Sequence, residues 1–159
     1  MPAEIERKFL VRDDSWRDGA VPLRIAQGYL SQDPERTVRV RFTGENAWLT
    51  IKGQTHGITR AEFEYAIPPA EALDMLGLCL PSVIDKTRHL VHHGEHVWEI
   101  DVFHGANDGL VIAEVELSDE SDCPEMPSWI GPEVSSDARY FNSNLAQHPF
   151  SSWPAISEE

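Results

Sequence analysis

Cysteine is scarce in this chain of 159 residues: only Cys79 and Cys123 occur, and neither has a partner at metal-ligand spacing. Such usage fits reduced cytosolic thiols better than a disulfide framework. No run of about 18 apolar residues exists, which excludes a transmembrane helix and a membrane-embedded function. The N-terminal stretch Met1-Pro2-Ala3-Glu4-Ile5-Glu6 is charged where a secretory signal needs an apolar run. Export is therefore not expected, and a cytoplasmic location is. Basic residues are few, 13 Lys+Arg against 27 Asp+Glu, for a net charge of −14. A general nucleic-acid binder draws its affinity from excess positive charge, so nucleic acid is not an expected partner. A small anionic substrate stays open, because a cleft of one sign focuses its own field inside a molecule of opposite net charge.

The length corresponds to about one domain, taken as 1–159, able to bury a core without disulfides. Strand-like segments dominate: Glu4–Val11, Leu23–Ser31, Thr37–Thr43, Ala47–Lys52, Arg60–Ile67, Val83–His92, His96–Phe103 and Leu110–Leu117. Gly44-Glu45-Asn46, Gly53 to Gly57, Gly94 and Asn107-Asp108-Gly109 fall between them, where turns favour such residues. One helix is expected after the Pro68-Pro69 break, running to Leu76, and a second from a cap among Ser135-Ser136-Asp137 through Leu145. Asp119–Pro132, with three prolines, reads as a loop or short helix. The set predicts an α+β fold: an eight-stranded antiparallel β-barrel with flanking helices.

Alternation along these strands carries the main signal, because successive side chains point to opposite faces. Glu4, Glu6 and Lys8 share a face, as do Arg39 and Arg41, then Arg60, Glu62 and Glu64. Lys86 and Arg88 form another such set, followed by Glu99 and Asp101, and by Glu114 and Glu116. Lys52 shares its face with Trp48 and Thr50. Most opposite faces are apolar; the exception is Asp85, Thr87 and His89. Any one strand reads as an ordinary half-exposed strand. The set does not, because a solvent face mixes Ser, Thr, Gln and charges, whereas here like charges recur in pairs that repel. A barrel with its charged face inward resolves this: the acids hold cations, the bases hold phosphate oxygens, and the apolar faces pack outward against helices or a partner subunit. A homodimer is one way to cover that outer wall.

Glu4-x-Glu6-x-Lys8 close to the N-terminus resembles the signature of the CYTH superfamily, the triphosphate tunnel metalloenzymes. The similarity continues in order through Gln27-Gly28-Tyr29-Leu30, Val38-Arg39-Val40-Arg41, Leu49-Thr50-Ile51-Lys52, Arg60-x-Glu62-x-Glu64, Lys86-Thr87-Arg88, Glu99-x-Asp101 and Glu114-x-Glu116. Asp137-x-Arg139-Tyr140-x-Asn142-x-x-Leu145-Ala146 resembles the family's closing helix. The resemblance covers nearly the whole chain, and it implies an eight-stranded tunnel binding a triphosphate with divalent metal.

On that footing Glu4, Glu6 and Glu116 are expected to hold Mg²⁺ or Mn²⁺, which favour hard oxygen ligands. Glu114 is a further candidate, or else a salt-bridge partner for a tunnel arginine. Lys8, Arg39, Arg41, Lys52, Lys86 and Arg88, with Arg60, are expected to cradle the phosphate oxygens. Lys86, Glu62 and Glu64 are the candidate catalytic groups; Glu62, Glu64, Glu99 and Asp101 are placed to orient the water or the bases. Tyr29 is assigned to the substrate site, as a hydrogen bond at the tunnel mouth or as wall packing. His89, His92, His93 and His96 are read as solvent-exposed around a Gly94-Glu95 turn rather than as a metal site. Trp48 and Trp98 are read as wall residues and Cys79 as core. The expected activity is metal-dependent hydrolysis of the terminal phosphoanhydride of inorganic triphosphate, weaker on nucleoside triphosphates. A class IV-like adenylate cyclase, a thiamine triphosphatase and a non-catalytic polyphosphate or nucleotide sensor are the alternatives.

Overall fold

The computed structural model describes residues 2–154; Met1 and the last five positions of the expected domain lie outside them. Nine strands are present: β1 Ala3–Val11, β2 Val21–Ser31, β3 Arg36–Phe42, β4 Ala47–Gly53, β5 Thr59–Ala66, β6 Leu80–His93, β7 His96–Phe103, β8 Val111–Glu116 and β9 Ile130–Glu133. The helices are α1, Pro69–Leu76, and α2, Asn142–Gln147. All strand pairs are antiparallel, in the order β5-β4-β3-β2-β6-β7-β8-β1-β9. The sheet closes because the start of β1 pairs with β5. Farther along, β1 leaves β5 and takes β9 as its neighbour instead. The eight expected strands form the ring, and β9 is an addition from the segment read as loop or short helix. Pro132 inside it has no N–H to donate, which suits a short edge strand.

Charged side chains fill the inside of this barrel and apolar ones its outside. The outer faces of β1, β7 and β8 carry Phe9, Trp98, Ile100, Ala113 and Val115, which pack with Trp16, Trp129 and Ile130. That cover comes from the chain's own connecting segments, with Trp16 on the 3-10 turn Ser15–Arg17 and Trp129 just before β9. Only α1 acts as the expected flanking helix, placing Ala72 against Val40 and Ala47. Pro69 opens it at a position where a missing N–H costs nothing.

The second expected helix is broken. Asp137 accepts a hydrogen bond from the Arg139 backbone N–H and starts a 3-10 turn, Ala138–Tyr140. Phe141 is then extended (φ −72°, ψ 134°), and α2 begins only at Asn142. This break turns α2 into one end of the barrel. There the inward positions are apolar: Tyr29, Ile84, Phe103 and Ile112 pack against Tyr140, Leu145 and Ala146. The hydrophobic effect thus seals one end and leaves a cup.

Gly28 shows how tightly the wall is packed. A Cβ there would lie 2.6 Å from Cys79 Cβ and 2.7 Å from its Sγ. Cys79 is half-buried just beyond α1, its Sγ donating to the Met75 carbonyl. Gly28→Ala is expected to lower unfolding free energy by about 1–3 kcal/mol through overpacking. Adding Cys79→Ala should recover only part of it, since the closer contact is to Cβ. Denaturant titration of the three variants checks both statements.

Candidate active site

Strand register sets the inner wall. On β1 and β8, Glu6 stands opposite Glu116 and Lys8 opposite Glu114. Glu99 of β7 also faces Glu114, while Arg88 of β6 faces Asp101. Lys52 faces Glu62 and Thr50 faces Glu64 across β4 and β5. These side chains meet in one cavity of about 240 Å³, lined by seven Lys or Arg and seven Glu side chains. Every site residue expected from the sequence except Asp101 lines it. Asp101 lies just behind the lining with no exposed surface.

Ion pairs are unevenly shared. Asp101 Oδ2 is 2.7 Å from Lys86 Nζ, and its two oxygens accept from Arg88 Nε and Nη2 at 2.8 and 3.0 Å. Lys8 Nζ lies 2.9 Å from Glu114 and 3.4 Å from Glu6. Glu114 is therefore a salt-bridge partner first of a lysine, with Arg88 at 3.9 Å. Lys52 Nζ is 2.9 Å from Glu4 and 3.4 Å from Glu62. Glu64 sits at the exposed edge, accepting from Thr50 at 3.0 Å with Arg39 at 3.5 Å. By contrast, Arg41 donates to the uncharged Gln27, and Arg60 to the Gly53 carbonyl and Thr37. Among the described residues neither has a carboxylate within ion-pairing distance. Arg39 Nε is buried without a hydrogen-bond partner.

Charge preferences follow from this layout. Burial, with Glu114 nearby, pushes the Glu6 carboxyl up to about 7. Burial and Glu4 raise Glu116, and burial raises Glu99. Burial opposes charge on Glu4 and Glu114 too, but Lys52 holds the first below its ordinary value and Lys8 with Arg88 hold the second well below. On the cationic side burial, Arg39 and Arg88 push Arg41 down to about 9. Lys86 falls to about 7, because burial, Arg88 and Arg41 outweigh an Asp101 charge it shares with the Arg88 fork. One part of the wall thus carries unmatched negative charge and another unmatched positive charge.

Glu4, Glu6, Glu114 and Glu116 offer the hard oxygen donors that a Mg²⁺-like ion takes. Among the described residues no three acidic, His or Cys side chains already converge as a metal-binding group. The donor set also answers the like-charge pair Glu6–Glu116, which is unfavourable without a cation between its members.

The fold separates the two readings of Tyr29 and corrects the reading of the histidines. Tyr29 packs in the wall near the sealed end, not at an open mouth, its hydroxyl accepting weakly from Gln27 at 3.3 Å. The four histidines do not share an exposed setting. His89 packs on the Trp16 ring at 5.0 Å, His93 lies 2.9 Å from Glu125, His96 bonds Asp122 at 3.0 Å, and His92 is exposed. Trp98 is a wall residue of the outer core, as expected. Gln27 and Asn142 had no expected role, although both reach the charged network. A glutamine on the inward face between Ile25 and Tyr29 was a legible oddity; nothing in the sequence aimed Asn142 inward.

A cup of opposed carboxylates and guanidinium or ammonium groups defines a protein that binds a polyanion together with a cation. Residues 2–149 match the CYTH domain, and the chain belongs to the CYTH family, whose triphosphate tunnel enzymes are metal-dependent. It is 45% identical over 151 residues to an inorganic triphosphatase of Acetivibrio thermocellus, covering 94% of this chain and 97% of that protein. It is 36% identical over 151 residues to an inorganic triphosphatase of Nitrosomonas europaea, covering 90% and 96%. The crystal structure of the inorganic triphosphatase NE1496 superposes with a TM-score of 0.64 at 31% identity, covering 95% of this chain and 99% of that one.

Glu6 gives the site a measurable signature. Its carboxyl loses its proton near 4.5 when unfolded and near 7 when folded. The native state therefore binds the extra proton between those values, and this contribution to stability is lost as pH rises through that window. With chelator present, the melting temperature of Glu6→Gln relative to wild type should climb from about pH 4.5 to 7 and level off above it. A pH-independent difference would contradict this placement of Glu6.

Proposed function

We propose that this chain hydrolyses the terminal phosphoanhydride of inorganic triphosphate, releasing phosphate and pyrophosphate, in a site that takes the substrate with Mg²⁺ or Mn²⁺. The observation that carries the reading is the split wall: Arg41, Arg60 and Lys86 lack full anionic partners, while Glu6 only shares Lys8 with the closer Glu114 and Glu116 has no ion pair among the described residues. A triphosphate carries about four negative charges, and arginine forks match phosphate oxygens in pairs. Arg39, Arg41 and Arg60 supply such forks; Lys8, Lys52 and Lys86 supply point charges, as does Arg88, whose fork is held by Asp101. Glu4, Glu6 and Glu116, with Glu114 as a clamp on Lys8, hold the divalent ion. When bound, that ion would neutralise phosphate charge, including the charge that develops on the departing pyrophosphate.

Phosphoryl transfer asks a protein mainly for positioning and for charge placed where the transition state develops it. Fixed guanidinium groups meet both demands. Lys86, pushed down to about 7, is partly neutral near physiological pH and able to accept a proton from the attacking water. Burial raises Glu62, and with Glu64 at the cavity edge it is placed to orient that water. Water attacks the terminal phosphorus, the anhydride P–O bond breaks, and its electron pair leaves on pyrophosphate.

Inorganic triphosphate is preferred over ATP for a local reason. Among the described residues the aromatic rings lining the cavity are Tyr29 and Phe141 at the sealed end, and none stands elsewhere on the lining to stack a base. The same lack weighs against cyclase chemistry, which must fix a ribose. No helix among the described residues is long and apolar enough to cross a membrane. The free thiols Cys79 and Cys123 suit the cytoplasm.

Purified protein with Mg²⁺ or Mn²⁺ should release phosphate from tripolyphosphate far faster than from ATP, and chelator should abolish the activity. Glu4→Gln and Glu6→Gln should each remove most of it. Equal turnover of ATP would overturn the substrate preference, and cyclic AMP as product would overturn the reaction.

A further inference from the structure

Two uncharged side chains inside the charged network have no task in the reaction as described. Gln27 has no exposed surface although it stands on the inward face of β2. Its Oε1 accepts from Arg41 Nε at 2.9 Å, and its Nε2 donates to Asn142 Oδ1 at 3.1 Å. Asn142 Oδ1 accepts a second hydrogen bond from Lys86 Nζ at 2.9 Å. We infer that Gln27 and Asn142 are positioning residues, an uncharged relay through which the C-terminal segment aims Arg41 and Lys86 at the phosphate chain. The inference rests on the triphosphatase reading above.

Hydrogen-bond chemistry fixes the relay's direction. Arg41 and the charged form of Lys86 only donate, so each amide must turn its oxygen to its cation; that leaves the Gln27 N–H for Asn142. Lys86 has three N–H groups when charged. Asp101 and Asn142 take two, and the third is left for the cavity that Lys86 lines. Neutrality matters as much as direction. A carboxylate at either position would pair with its cation and compete with phosphate, whereas an amide oxygen orients without neutralising. Asn142 reaches the cavity because Phe141 is extended and turns α2 into the barrel end. The segment that seals the cup therefore also sets two of its cations.

The test compares Gln27→Ala, Asn142→Ala, their double variant and Asn142→Asp on tripolyphosphate, with melting temperature followed in parallel. Each alanine variant should lower kcat by roughly ten- to a hundredfold, with a smaller change in KM. The double variant should lose much less than the product of the singles, because both break one relay. Asn142→Asp keeps both acceptor contacts and adds a charge beside Lys86. Lys86 is faced by Asp101 from β7, Glu114 from β8, Arg41 from β3 and Arg88 on its own strand. The new carboxylate joins the acids, so the pH–rate limb that Lys86 governs should move to higher pH. Multiplicative losses, an unmoved pH profile in Asn142→Asp, or losses that merely follow melting temperature would each overturn the relay. If Asn142→Ala does not fold, the isosteric Asn142→Asp decides through its pH profile. If wild type fails to hydrolyse tripolyphosphate, the functional reading falls by itself. The relay is then judged by NMR titration of the Lys86 ammonium, where equal midpoints in wild type and Asn142→Asp would overturn it.

Discussion

Asp101 has no exposed surface, yet its two oxygens hold Lys86 on one side and the Arg88 fork on the other. A charge so placed is tolerated only when fully paired, and stripping a partner from such a pair costs roughly 3–5 kcal/mol. The β6–β7 ladder provides the pairing by setting Arg88 directly opposite Asp101, with Lys86 one inward position along. Much of the rest of the inner wall can be traced from this clamp. Because Arg88 spends its fork on Asp101, Lys86 keeps only part of a counter-ion, and the positive surplus passes to Arg41 and the cavity.

Putting charge inside the barrel places the apolar faces outside, and the fold must then cover them. The connecting segments do so with large side chains: Trp16 and Trp129 close over Phe9, Trp98 and Val115. Fully burying each large apolar side chain contributes about 1.5–3 kcal/mol. The outer shell thus offsets the desolvation of an interior that adds little stability of its own. At the sealed end the inward positions turn apolar and α2 docks on them, so the charged zone has a floor.

The charged zone is not balanced locally, and that imbalance links fold to chemistry. Glu6 faces Glu116 across a strand pair, while Arg41 donates to an amide and has no ion pair among the described residues. Such an interior is unfavourable by itself and is relieved by a ligand carrying both signs, a divalent ion and a polyanion together. The rigid ladder positions the charges before substrate arrives, so little reorganisation is left for the reaction.

Period-two alternation of like-charged pairs determined the barrel, its inverted polarity and nearly all of the side chains that share the cavity, because side-chain direction in a strand follows from local geometry. It also placed the Pro69 helix start and the Gly94 turn. What the sequence could not decide depends on contacts between distant segments. Pro132 reads as loop until β1 offers an edge to pair with, and a helix drawn through Phe141 is broken because burying Leu145 at the barrel end requires the chain to turn there. The histidines look exposed from sequence because the partners of His89, His96 and His93, namely Trp16, Asp122 and Glu125, lie elsewhere in the chain. Glu4-Ile5-Glu6-Arg7-Lys8 by itself placed two carboxylates and an ammonium on one face. Only the tertiary structure decided that Lys8 is held by Glu114, Glu4 by Lys52, and Glu6 by nothing strong enough to keep its carboxyl low, since such pairings are set by strand register around a closed ring.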